Sequence, residues 1–138
     1  MEYQIHNLYN GIRLVHCPGS GSVAHCGLIV NAGSRDEKDH ERGLAHFIEH
    51  VFFKGTKKRR AYHILSRLDD VGGELNAYTT KEETCVHASV LVDDFQRAVE
   101  LIYDIVFHSV FPAKELEKEK EVIIDEINSY KDNPSELI

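Results

Sequence analysis

Apolar positions recur along this chain with two periods, and polar clusters separate them. Tyr3–Leu8 and Ile12–His16 read as two strands around Tyr9-Asn10-Gly11, where Asn-Gly is a hairpin signal. Pro18–Ser22 reads as a loop and Val23–Val30 as a buried strand. A polar stretch, Asn31–Glu41, leads into a short segment, Leu44–Phe52, that is apolar nearly all round its helical wheel. Lys57-Lys58-Arg59-Arg60 reads as a solvated basic loop. Ala61–Asp70 reads as a helix stopped by Gly72-Gly73. Glu74–Thr80 and Thr84–Val92 read as a strand pair across a polar turn. Asp93-Asp94 begin a helix that reaches about His108, with acids in its first turn where they favour the helix dipole. Pro112 suits the first turn of a last helix, whose apolar stripe is Leu116, Ile123, Ile127 and Tyr130. The order βββ-α-α-ββ-α-α predicts an α+β fold, a mostly antiparallel sheet with helices packed against it. No linker, internal repeat or low-complexity segment interrupts it.

The apolar helix carries one polar stripe, His46, Glu49 and His50, in the order His46-Phe47-Ile48-Glu49-His50. At about 100° per residue these three fall within an arc of roughly 100°. Imidazoles four residues apart leave one face of a helix and can share a zinc ion. A carboxylate beside them can serve as general base for an attacking water. The plain alternative is a solvated surface helix, or core histidines bonded to backbone. A helix so apolar is expected to be buried, where two histidines and a glutamate are costly unless something satisfies them. A divalent cation would do so, and H-x-x-E-H is the inverzincin order.

Such a site needs a third protein ligand. In the last helix most acids point away from the apolar stripe, but Glu119 and Glu126 do not. They stand seven residues apart, two turns on one side, between Val122 and Ile123 on the wheel. Carboxylates at the edge of a buried stripe are rare unless paired or metal-bound. The alternative is that both reach out to water in a helix rich in Glu and Lys. The spacing alone leaves either one open as the ligand.

These segments together resemble the pitrilysin/insulinase/mitochondrial processing peptidase family. His46–His50 is followed, 76 residues after His50, by Glu126 in Glu121-Val122-Ile123-Ile124-Asp125-Glu126. Asn10–Leu14, Ala32–Glu37, Gly43–Ala45, Phe53–Thr56, Gly72–Thr79, Glu82 and Thr84 are similar to other segments of that family, in the same order. Val86 stands where many relatives have an aromatic residue, preceded by Cys85. The resemblance implies a zinc peptidase with His46, His50 and Glu126 as ligands and Glu49 as general base. It implies that Glu119 is a supporting carboxylate. It places Asn76 and Ala77 on the strand along which an extended peptide substrate pairs. Relatives carry a roughly twofold-repeated pair of homologous domains. The resemblance therefore implies that residues 1–138 form a single, truncated N-terminal part of a LuxS/MPP-like metallopeptidase domain. The expected partners are a peptide and a missing C-terminal half or homologous subunit, and exposed apolar surface is expected to promote self-association.

Composition fits a globular chain: 42% hydrophobic and 28% charged residues. A net charge of −7 argues against nucleic acid and against an acidic membrane surface as partners. No apolar run approaches the roughly eighteen residues that cross a bilayer. The start, Met1–His6, lacks the pattern of a secretory leader. Cys17, Cys26 and Cys85 are odd in number and widely spaced, which predicts free thiols in a reducing, cytoplasmic compartment. His25, His63 and His87 read as structural or exposed. Two functions follow as expectations. One is a zinc endopeptidase acting on extended or unfolded peptides, with 138 residues too few to work alone. The other is a non-catalytic scaffold or partner subunit of the same fold. Intact His46, Glu49, His50 and Glu126 favour the first.

Overall fold

The computed structural model describes residues 3–131, with side chains through Ser129. Met1 and Glu2, read above for a leader, the side chain of Tyr130 and the segment 132–138 fall outside that description. The elements are β1 (Gln4–Asn7), β2 (Arg13–His16), β3 (Val23–Val30), α1 (Leu44–Val51), α2 (Ala61–Asp69), β4 (Glu74–Thr79), β5 (Thr84–Leu91), α3 (Phe95–His108) and α4 (Ala113–Lys131). Their order is the expected one, and every strand pairing is antiparallel. The strands fall into two sheets. β1 and β2 form a separate exposed hairpin, while β3, β5 and β4 form a second sheet with β5 in the centre.

The core lies on one face of that second sheet. Val86, Ala88 and Val90 alternate along β5 and point at the helices. Ala98, Leu101, Ile102 and Ile105 form the i, i+3, i+4, i+7 stripe of α3, and Ile64 and Leu68 lie one turn apart on α2. Val86, for which the family resemblance offers an aromatic residue, is thus a core residue. α2 ends where Gly72 takes φ +69°, a left-handed conformation glycine adopts without a Cβ penalty, and the Gly73 amide donates to the Leu68 carbonyl at 2.9 Å. Phe111, at φ +45°, turns the chain from α3 into α4.

Three expectations change. β3 is not buried: it is an edge strand, α3 covers only the face of Ala24, Cys26 and Leu28, and Ile29 on the other face is 60% exposed. α1 is not buried all round either. It packs against β4 and α4, only Val51 is fully buried, and Leu44 is exposed. The basic run is not uniformly solvated. Arg59 turns inward to meet the buried Asp104 at 2.6 Å and Glu100 at 2.8 Å on α3.

Candidate metal centre

α1 and α4 cross so that their polar stripes meet. On α4 the residues turned toward the protein are Leu116, Glu119, Ile123 and Glu126, a three-then-four spacing. The two glutamates therefore sit in the packed stripe itself, and Ile127, expected there, is exposed. The Nε2 atoms of His46 and His50 are 3.1 Å apart. A Glu126 carboxylate oxygen lies 3.4 Å from the His50 Nε2 and 3.9 Å from the His46 Nε2. Donors bound to a tetrahedral zinc at about 2.0–2.1 Å stand about 3.3 Å from one another. The triangle of two imidazole nitrogens and one carboxylate oxygen fits a divalent cation in spacing and donor type.

Glu119 occupies a different place. It is buried, and its Oε1 lies 3.0 Å from the His50 Nδ1, on the side of the ring away from the triangle. A carboxylate only accepts, so in a hydrogen bond with Glu119 it is Nδ1 that donates, and a neutral ring so bonded keeps its lone pair on Nε2. The other oxygen of Glu119 meets the Lys54 ammonium at 2.7 Å. Burial opposes the charge on Glu119, yet its bonds to Lys54 and His50 outweigh burial and hold its carboxyl below the ordinary glutamate value.

Glu49 leaves α1 beside the triangle. Among the described residues its carboxylate makes no hydrogen bond or ion pair. It lines an open cavity of about 370 Å³ together with His50, Phe53, Lys54, Asn76 and Ala77. Asn76 is exposed and Ala77 half-buried on β4, an edge strand of its sheet. The structure thus places His46, His50 and Glu126 in one triangle, and Glu49, Asn76, Ala77 and Glu119 around the cavity that His50 also lines. His25 lies elsewhere, 2.8 Å from Ser89.

The sequence profile described as Insulinase (Peptidase family M16) matches residues 17–138. The chain belongs to this family. It is 42% identical over 131 residues to the uncharacterized zinc protease YmxG of Bacillus subtilis, covering 94% of this chain and 32% of that protein. It is 38% identical over 137 residues to the mitochondrial-processing peptidase subunit beta of Rattus norvegicus, covering 99% of this chain and 28% of that one. The chain spans about a third of the length of the curated relatives it matches. Among solved structures, the periplasmic protease PqqL of Escherichia coli superposes with a TM-score of 0.88 at 26% identity, over 96% of this chain and 16% of that chain. A protease from Helicobacter pylori gives 0.87 at 25% identity, over 91% of this chain and 30% of that chain.

Two residues beyond the sequence reading shape the site. Glu37 accepts the Gly43 and Ala45 amides at 2.8 Å each and so caps the first turn of α1. Its six- and eight-residue spans match no local capping pattern. Lys54 holds Glu119, and it had a legible signal: it follows His50 by four residues, one further turn along the same face.

Proposed function

We propose that this chain carries the zinc centre of an endopeptidase that cuts extended or unfolded peptides. The observation that carries the reading is the convergence of His46, His50 and Glu126 from two helices, with the Glu49 carboxylate, which has no partner among the described residues, lining an open cavity with His50. His46, His50 and Glu126 would hold the ion. Zinc, when bound, supplies a Lewis acid for the scissile carbonyl and lowers the pKa of the attacking water. Glu49 takes the proton from that water and passes it to the leaving amine. Glu119 fixes the tautomer and orientation of His50. The outer edge of β4, which pairs with no strand among the described residues, would offer backbone groups near Asn76 and Ala77 to an extended strand of substrate. The cavity is open, and this chain is about a third of its relatives' length. A facing domain or homologous subunit would complete the enclosure. Three free cysteines, one of them exposed, are consistent with a reducing, cytoplasmic setting.

The scaffold reading has one observation on its side. A peptidase M16 inactive domain from Pseudomonas fluorescens shares the fold, with a TM-score of 0.87 at 20% identity. A scaffold has no need of a base beside a metal triad, and Glu49 is that base. The test separates the roles in the full-length protein. Glu49→Gln is expected to keep one zinc per site and to lose turnover by about 10²–10⁴-fold, since the amide cannot accept the proton. His50→Ala is expected to lose metal and turnover together. Normal turnover of Glu49→Gln would overturn the mechanism, and wild-type protein without metal or turnover would support the scaffold.

A further inference from the structure

We infer that Lys54 is a positioning residue of this centre: its ammonium locks Glu119 so that Glu119 presents one oxygen to the His50 Nδ1–H and keeps the His50 Nε2 lone pair turned to the triangle. The inference rests on the metal-centre reading above.

The geometry is a relay of two short contacts, Lys54 Nζ to Glu119 Oε2 at 2.7 Å and Glu119 Oε1 to His50 Nδ1 at 3.0 Å. Among the described residues each carboxylate oxygen has one partner, so the side chain cannot rotate without losing one of the two. The two acceptor and donor groups at the middle of the relay are largely buried. The Glu119 side chain is 8% exposed and that of His50 21%. A carboxylate buried this far needs a cation or donors, and Lys54 is the one lysine or arginine paired with it among the described residues.

Lys54 is itself held in place. It ends the single 3-10 turn, Phe52–Lys54, that prolongs α1. The next residue, Gly55, has φ +153°, a conformation that favours glycine, and its carbonyl accepts the Val110 amide at 3.2 Å. Thr56 follows, its hydroxyl donating to the buried Asp104 at 2.8 Å, and the Lys57 amide donates to the His108 carbonyl at 2.9 Å. The backbone beneath Lys54 is thus pinned to α3, while its ammonium reaches α4. One residue therefore ties the end of the helix bearing both histidines to the helix bearing Glu126. Without the ammonium, Glu119 keeps one bond instead of two and its rotamer is no longer set. The His50 ring is then free to populate the Nε2–H tautomer, whose nitrogen cannot bind a cation.

The test uses Lys54→Met and Lys54→Arg with two readouts. In metal-free protein, at a pH where the ring is neutral, ¹⁵N NMR of the His50 imidazole is expected to show the Nδ1–H tautomer in the wild type and a mixture in Lys54→Met. Zinc affinity by chelator competition is expected to fall about 10–100-fold in Lys54→Met. Lys54→Arg is expected to recover most of both. In a Glu119→Gln background, Lys54→Met is expected to add little, because the relay is already cut. Unchanged tautomer and unchanged affinity in folded Lys54→Met would overturn the inference and leave the metal centre standing. The same holds if Lys54→Met only lowers thermal stability. A tautomer shift in a protein whose wild type takes up no zinc would uphold the positioning role and overturn the metal centre instead.

Discussion

At the scale of single residues, the carboxylates near α1 have different surroundings, and the roles proposed for them differ accordingly. Glu119 is buried and contacts both Lys54 and the His50 ring, which suits the orienting role proposed for it. Glu49 borders a cavity without a partner among the described residues, which suits the proton-accepting role proposed for it. Glu126 lies within 3.4 Å of one imidazole nitrogen and 3.9 Å of the other, so it completes a triangle. Removing a donor is expected to cost more than removing its support. Glu126→Gln should weaken zinc binding by more than the about 10–100-fold typical of a supporting partner, as read by chelator competition. Unchanged affinity would move the third ligand elsewhere. The two carboxylates on α4 were legible as exceptions to its polar pattern, but their division of labour was not. Seven residues is two turns, so both point the same way. Only the position of His50 relative to the helix axis gives one of them Nδ1 and the other Nε2.

At the scale of elements, the site depends on how α1 is fixed at its two ends. Its N-terminus is capped by Glu37 across a polar loop. Glu37→Ala should cost about 1–2 kcal/mol and speed hydrogen exchange of the Phe47 amide, which bonds to the Gly43 carbonyl at 2.9 Å. Unaltered exchange would show that packing alone holds the first turn. Beyond the C-terminus of α1, Asp104 gathers Thr56 and Arg59 onto α3. Burial pushes the Asp104 carboxyl up, but the Thr56 hydroxyl, the Arg59 guanidinium and His108 together hold it below the ordinary aspartate value. A depressed folded-state value means that the carboxylate stabilises the fold above about pH 4. That contribution fades as pH falls through the depressed value. Asp104→Asn should therefore lower stability by about 2–3 kcal/mol near neutral pH, mostly by stranding Arg59. The gap between the two proteins should narrow in acid. Denaturant titrations at pH 7 and pH 3.5 check this, and a gap that widens in acid would contradict it.

At the scale of the whole molecule, large apolar side chains are exposed on several elements. Ile5, Leu14 and Val15 on the hairpin, Val99, Tyr103 and Phe107 on α3, and Val122 and Ile124 on α4 are all exposed. Such surface favours association. The 138-residue chain alone is expected to self-associate in sedimentation experiments, and a single monomeric species at high concentration would count against it. It is also expected to hydrolyse an unfolded peptide far more slowly than a version extended by the rest of a relative's length, at equal zinc occupancy. A peptide must be held in line and the developing oxyanion stabilised, and each lost contact can cost orders of magnitude in rate. Comparable turnover by the two would show that this part suffices.

The sequence by itself determined the elements, because helix and strand periods are local properties of neighbouring residues. It determined the antiparallel α+β class through their order, and it marked His46, Glu49 and His50 as one face of one helix. Tertiary structure decided what lies on either side of that face. Whether β3 is central or at an edge depends on which strands pair, and pairing is a long-range choice that a strand's own pattern does not contain. Whether Arg59 is solvated depends on Asp104 lying within 2.6 Å, 45 residues away in sequence. Whether Glu119 orients or ligates depends on the crossing of α1 and α4 and on Lys54. Periodicity places a side chain on a face of its own element, and only packing brings that face to another.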